Sequence, residues 1–318
     1  DRFYNILGLT KTAKSSVDFS APFRQGLMLI SHPVAFAKAF SPMFEAAFSE
    51  KAFDKWQADI ASDPLINFYR KAGIAFSDLG KALGTREEAI PSTLLDRVKY
   101  IGPLIRGSNR AYVVFLNLLR RDVAKSIANN EVKRLGLKSV DELGPKFTEA
   151  LGKFVNAASG RGSLGALEKY SVGLNSMFWS PKFMASRIYF LNPVNYIKAP
   201  RTIRIEMLKS VAAAGSAVVT ASAVANLAGA DINMNPNSSD FLKIKIGKTR
   251  IDTMGGFQQY IVLLSRLISG ETVTVKGKKM TLGKGYGSAT RKDILYRFFE
   301  NKEAPIPSFL TKLLEGKD

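Results

Sequence analysis

The chain has no cysteine and a single histidine, His32. The first absence excludes disulfides, thiolate nucleophiles, iron–sulfur clusters and Cys-ligated zinc, and leaves the fold indifferent to redox compartment. The second leaves no His-based metal site, and His32, set just before Pro33 in SHPVAF, has no second His near it to build a triad around. Acidic residues are also scarce. There are 27 Asp and Glu against 46 Lys and Arg, a formal charge of +19, and no acidic spacing points to a paired-carboxylate acid/base site. So lopsided a charge suits a polyanionic environment, nucleic acid or anionic lipid, better than small-molecule chemistry. The first residue is Asp1, and DRFYNILGLTKTAKSS lacks the charged, apolar, small-residue order of a signal peptide, so a piece of a longer protein is expected.

With 318 residues, 46% of them hydrophobic and 10% aromatic, the chain can bury a substantial core. It is organised around the segment Val211 to Ala230, VAAAGSAVVTASAVANLAGA, which holds nine Ala, two Gly and no charge. A helix apolar on all sides is either the central helix of a bundle or a membrane span. Twenty residues rise roughly 30 Å, which matches a bilayer core. Small residues let helices approach closely in bundles and in membranes alike. Val211, Ala214, Gly215, Ala217, Val218, Ala221 and Val224 are the candidate contact positions of this helix. At the centre of a bundle, Leu in place of Ala217 or Ala221 would overpack it.

Upstream, Phe36, Phe40, Phe44 and Phe48 fall on one helical face. Ser41-Pro42 reads as a cap and first helical position, which predicts a helix ending near Phe40 and a second from Pro42 to about Ala61 buried through Phe53, Trp56 and Ile60. Asp63-Pro64, Ser180-Pro181 and Asn192-Pro193 repeat that punctuation, and Thr85 to Glu88 and Ser139 to Glu142 match the capping box. Asn109 to Asn129 places Tyr112, Phe115, Leu116, Leu119, Val123 and Ile127 at helical spacing, with Arg120, Arg121 and Lys125 on the opposite side.

After Ala230 the period drops from about 3.6 to 2. Phe241 to Asp252 predicts a hairpin turning at Gly247-Lys248, and Thr272 to Leu282 a second at Gly277, with a helix over Gly256 to Ile268 between them and another over Ser308 to Glu315. The fold class is therefore mainly α: a multi-helix bundle around an apolar helix at about 208–230, with a small α+β C-terminal part containing two β-hairpins. The expected divisions are an N-terminal amphipathic helical region (1–158), a central core (159–239) and a C-terminal part (240–318).

Gly160-Arg161-Gly162-Ser163-Leu164-Gly165 has dinucleotide-loop spacing, but helical sequence precedes it where that motif needs a strand, so it reads as a helix–turn–helix joint. Gly247-Lys248-Thr249 lacks the first Gly of a phosphate loop and reads as a hairpin turn. No cofactor is expected. Candidate polyanion contacts are Arg120 and Arg121, then Lys198, Arg201 and Arg204 leading into the apolar helix. Lys243, Lys245, Lys248 and Arg250 follow on the first hairpin, and Lys276, Lys278 and Lys279 on the second. Alternation along a strand can lay such side chains on phosphates without reading bases, and a solvated face is the plainer alternative.

Several blocks carry a resemblance: SGRGSLGALEKYSVGLNSMFWSPKFMASRIYFLNPVNYI, RIEMLKSVAAAGSAV, SSDFLKIKIGKTRIDTMGGFQQYIVLLSRLISG and LYRFFENKEAPIPSFLTKLLEG, with PFRQG and SNRAYVVFLNLLRRD upstream. In this order they resemble the C-terminal region of phage and prophage large polyvalent proteins, from about residue 20 onward; Trp179 stands where a Phe is expected. The resemblance implies a module of a long virion-carried protein delivered into the bacterial host with the genome, and it assigns no catalytic residue. The expected role is non-enzymatic, as a structural or interaction module of a virion or DNA-ejection protein. Alternatives are a nucleic-acid-binding module acting in the host after entry and a helical support domain of a larger multi-enzyme phage protein. Expected partners are other virion proteins or the rest of a longer polypeptide, non-specifically held DNA, a host membrane and further copies of the chain.

Overall fold

Helices dominate the computed structural model, which describes residues 21–77, 102–178, 180–274, 277–285 and 288–303. The chain divides into two compact units, residues 1–212 with 304–306, and 213–303 with 307–318.

The first unit is built on one long helix. Its early elements are α1 (Ala21–Arg24), α2 (Pro33–Lys38), α3 (Phe40–Phe48), α4 (Glu50–Ala61) and α5 (Ile66–Lys71). They are followed by α6 (Gly102–Leu135, 34 residues) and α7 (Pro145–Ala158). After Pro103, α6 contains no proline, and its Leu, Val, Ile and Phe side chains point in every direction. It is accordingly packed by α1, α2, α3, α4 and α7. It stops at Gly136, whose φ of 67° is the left-handed C-terminal conformation glycine adopts at low cost, and the Leu137 N–H returns to the Val132 carbonyl at 3.0 Å. Phe36, Phe40 and Phe115 meet with ring centroids 5.2–5.6 Å apart in edge-on arrangements, which ties α2 and α3 to the middle of α6.

Three local expectations are corrected here. The chain does not run as one helix from Pro42: Ser49 leaves the helical conformation and its side chain accepts from the Ala52 N–H at 3.2 Å, so it caps α4. The Phe stripe is split as well. A spacing of four residues moves about 40° further round a 3.6-residue helix at each step, so the covered side runs through Phe36, Ala39, Met43, Ala46 and Ala47, and Phe44 and Phe48 face solvent. Ser139 to Glu142 forms only a 3₁₀ turn with no side-chain cap, and the helix begins at Pro145. Asn192 does cap as expected, accepting from the Val194 N–H at 3.0 Å.

Beyond α7 lie α8 (Ser171–Met177), α9 (Pro181–Leu191), α10 (Pro193–Lys198) and α11 (Arg201–Leu227). The glycine-rich stretch 160–165 is the joint the sequence predicts. Gly162 donates to the Lys182 carbonyl at 2.9 Å, and a Cβ there would stand 2.1 Å from the Ser186 backbone N, so only glycine permits α9 so near. Because α9 packs on α7, no boundary falls at residue 158. The division comes instead inside α11, between Ala212 and Ala213.

The second unit holds the rest of α11 and a three-stranded antiparallel sheet of β1 (Asp231–Ile232), β2 (Ile244–Ile246) and β3 (Thr249–Ile251). Next come α12 (Gln258–Ser269), the hairpin β4 (Glu271–Val273) with β5 (Lys279–Thr281), and α13 (Arg291–Glu300). Ile246 pairs with Thr249 across the Gly247-Lys248 turn, and Val273 pairs with Lys279. Both hairpins stand where the change of period puts them, in a mainly helical chain. β1 was not foreseen; it pairs with β2, so a boundary at residue 239 would cut a sheet. Thr85 to Glu88, Lys276 and Ser308 to Glu315 lie outside the described residues.

The expectation of an apolar helix at 208–230 is met in length by α11, but not in burial. The bundle's centre is α6. On α11 a single stripe is covered, through Ile203, Met207, Ser210, Ala214, Val218 and Ser222, and 22% of its most apolar 18-residue window is buried.

Candidate functional site

The basic residues divide sharply once their surroundings are fixed. Arg120 is fully buried and cannot meet a polyanion. Its Nε donates to Ser159 Oγ at 2.7 Å, Nη1 to the Ala75 carbonyl at 2.8 Å and Nη2 to the Ser159 carbonyl at 3.2 Å. The same buried network runs through Asn117, which accepts from the Ser77 N–H at 3.0 Å and donates to the Ser77 carbonyl at 2.8 Å and to Gln57 Oε1 at 3.2 Å. The Ala75, Ser77 and Ser159 carbonyls there each acquire a side-chain donor, and the acceptors found by the Arg120 guanidinium are what make its burial tolerable. The opposite-side placement predicted for Arg120 fails because α6 is covered nearly all round. Arg121 is half-buried and held by Asp59 and by Asp122 Oδ1 at 2.8 Å.

On the first hairpin the predicted cations largely have acidic partners. Lys243 lies 3.8 Å from Asp240 Oδ1, Arg250 donates to Asp240 Oδ2 at 2.8 Å, and Lys245 lies 3.5 Å from Asp231 Oδ2. These residues line a cavity of about 500 Å³ beside the small sheet. The strict alternation expected there is incomplete, since Ile244 is buried while Ile246 is exposed. Lys248 at the turn tip, and Lys278 and Lys279 on the second hairpin, are exposed. Lys198, Arg201 and Arg204 are exposed too, although Arg204 also donates to the Ile197 and Ala199 carbonyls at 3.1 and 3.2 Å.

His32 is engaged by the start of α11. Its Nε2 lies 3.1 Å from Glu206 Oε2, off the line of a good hydrogen bond, while Lys209 Nζ reaches Glu206 Oε1 at 2.9 Å and Ser31 Oγ meets Ser210 Oγ at 3.2 Å. Burial pushes the Glu206 carboxyl up, but the contacts from His32 and Lys209 outweigh it and hold it below the ordinary carboxylate range.

The candidate positions on α11 also separate. Ala214 and Val218 are buried and Ala217 is partly covered, whereas Val211, Gly215, Ala221 and Val224 are exposed. Around the open side, Arg201, Ile205, Leu208, Ala212, Gly215, Val219 and Ala223 recur at intervals of three and four residues and all are exposed, Leu208 at 54% and Val219 at 63%. Ile205, Leu208 and Val219 were missed in the reading of the sequence; their helical spacing was the available signal. By length and composition α11 is the one helix among the described residues able to cross a membrane. A second omission is Arg187, buried with its guanidinium 4.1 Å from the Phe183 ring centre and donating to the Arg24 carbonyl.

Comparison with family models, with curated proteins and with solved structures finds no match.

Proposed function

We propose that the chain is a non-enzymatic interaction module of a bacteriophage virion or DNA-ejection protein, in non-specific contact with packaged or translocating DNA. The phage setting rests on the resemblance of the ordered sequence blocks to large polyvalent proteins. The DNA contact rests on one observation: Lys248, Lys278 and Lys279 stand exposed on the hairpins of a chain with net charge +19. The role of the described polar clusters is structural, since Arg120 and Asn117 fasten inward-facing backbone and His32 is engaged by Glu206.

Cations laid on phosphates release counterions, so affinity for duplex DNA should fall steeply with salt and ignore base sequence. Fluorescence anisotropy over a salt series tests this. Changing Lys248, Lys278 and Lys279 to Glu should flatten the slope of log affinity against log salt by about one unit for each lysine that had neutralised a phosphate. Binding indifferent to salt, or a slope the triple variant leaves unchanged, removes DNA from the proposal. Mass spectrometry of purified phage particles tests the setting, for which stoichiometric presence in the particle is the expected result.

A further inference from the structure

We propose that the open side of α11 is a docking surface for an anionic lipid bilayer, which it meets lying along the surface with its basic end at the headgroups. The row Ile205, Leu208, Ala212, Val219 and Ala223 presents apolar side chains to solvent, and no charge occurs from Ser210 to Ala230. From Val211 to Leu227 the uncharged part of this side extends roughly 24 Å at about 1.5 Å per residue. An exposed apolar strip of that length, uninterrupted by charge, is unusual on a soluble surface and marks an interaction site.

The charge distribution selects the occupant. Lys198, Arg201, Arg204 and Lys209 precede the uncharged stretch against the single acid Glu206, so one end of the helix is strongly cationic and the remainder neutral. Arg201 heads the exposed row itself. Because these groups lie on one continuous helix or its immediate approach, helix geometry alone sets their spacing. An anionic bilayer offers the matching pattern, with phosphates in the headgroup layer beside an apolar layer for Leu208 and Val219. DNA offers only the phosphates. Lipid contact also leaves the covered stripe undisturbed: Ile203, Met207, Ala214 and Val218 stay on the protein while the opposite side enters the headgroup–acyl boundary.

The test is flotation of the whole chain with vesicles of phosphatidylcholine containing about a quarter phosphatidylglycerol, beside vesicles of phosphatidylcholine alone, with multi-angle light scattering of the same samples. The chain should float with the anionic vesicles. Val219→Asp and Leu208→Asp should each lower partitioning about tenfold or more without changing the thermal melt, because both positions are exposed. Arg201→Glu should weaken binding to the anionic vesicles and leave the neutral ones unaffected. Absence of flotation overturns the proposal. So does flotation that Val219→Asp and Leu208→Asp leave intact but that Glu at Lys248, Lys278 and Lys279 abolishes, since the hairpins would then be the contact. A dimer that Val219→Asp converts to a monomer, with no lipid binding, assigns the row to a second copy and overturns it equally.

Discussion

α6 and α11 are the two longest helices among the described residues, with 34 and 27 residues, and they differ in what their side chains can offer a neighbour. The sequence of α11 is the more uniformly apolar along its second half, yet α6 is the one buried on nearly all sides. Side-chain size accounts for this. Burying a Leu, Val or Phe gains about 1.5–3 kcal/mol, whereas an Ala methyl gains roughly 0.8 kcal/mol, so covering an Ala-rich helix repays little of the entropy of ordering its neighbours. α6 supplies Phe115, Leu116, Leu119, Val123 and Ile127 and becomes the centre; α11 buries one stripe and leaves the rest open. Freedom from charge makes burial permissible, and large side chains make it favourable.

The largest test of that contrast is Phe115→Ala. This ring touches Phe36 and Phe40 and is fully buried, so its loss should cost about 3–5 kcal/mol in urea denaturation. Val219→Ala on α11 should stay within about 0.5 kcal/mol. Equal costs at the two positions would break the comparison.

A smaller difference separates two adjacent residues of α6. Arg120→Met strands the Ser159 carbonyl without its guanidinium donor, leaves the Ala75 carbonyl only the longer bond from Arg161 at 3.4 Å, and should cost about 3 kcal/mol. Arg121→Met should cost about 1 kcal/mol, because Asp59 and Asp122 can turn to water and Asp63 keeps Lys125 at 3.4 Å. Chemical denaturation of the two variants side by side measures the gap, and a costlier Arg121→Met would show that the carboxylate cluster, not the buried network, anchors this side of α6.

How much of this was legible in the sequence depends on which physical signal carried it. The hairpins were legible because period-two alternation and glycine turns are local, and Gly247 and Gly277 adopt the positive φ those turns need, 58° and 82°. The apolar spacing of α6 was equally plain. Its coverage on the polar side was not, because periodicity reports which face is apolar and says nothing of how many neighbours arrive; Arg120 is buried by Ser159, just past the end of α7, and by the Ala75 segment, whose carbonyl it binds 45 residues away in sequence. The Phe stripe misled because four-residue spacing drifts about 40° per step on a 3.6-residue helix, which carries Phe44 and Phe48 off the side that Phe36 and Met43 share. The acidic partners of Lys243, Lys245 and Arg250 were hidden for want of pairing information, as Asp231 is brought to Lys245 only by the register of β1 on β2.

The smallest predicted effect divides α11 against itself. Ala214 is 7% exposed on the covered stripe, so Leu there must displace packed neighbours and should cost about 1–3 kcal/mol. Ala221, where the sequence alone predicts the same penalty, is exposed. Leu at 221 projects into solvent, keeps good helix propensity and should change stability by no more than about 0.5 kcal/mol. Paired thermal melts of Ala214→Leu and Ala221→Leu therefore report directly on which side of the helix is covered. Equal destabilisation would mean that α11 is enclosed all round, as an apolar helix at the heart of a bundle would be; a drop confined to Ala214→Leu leaves its other side open for a partner.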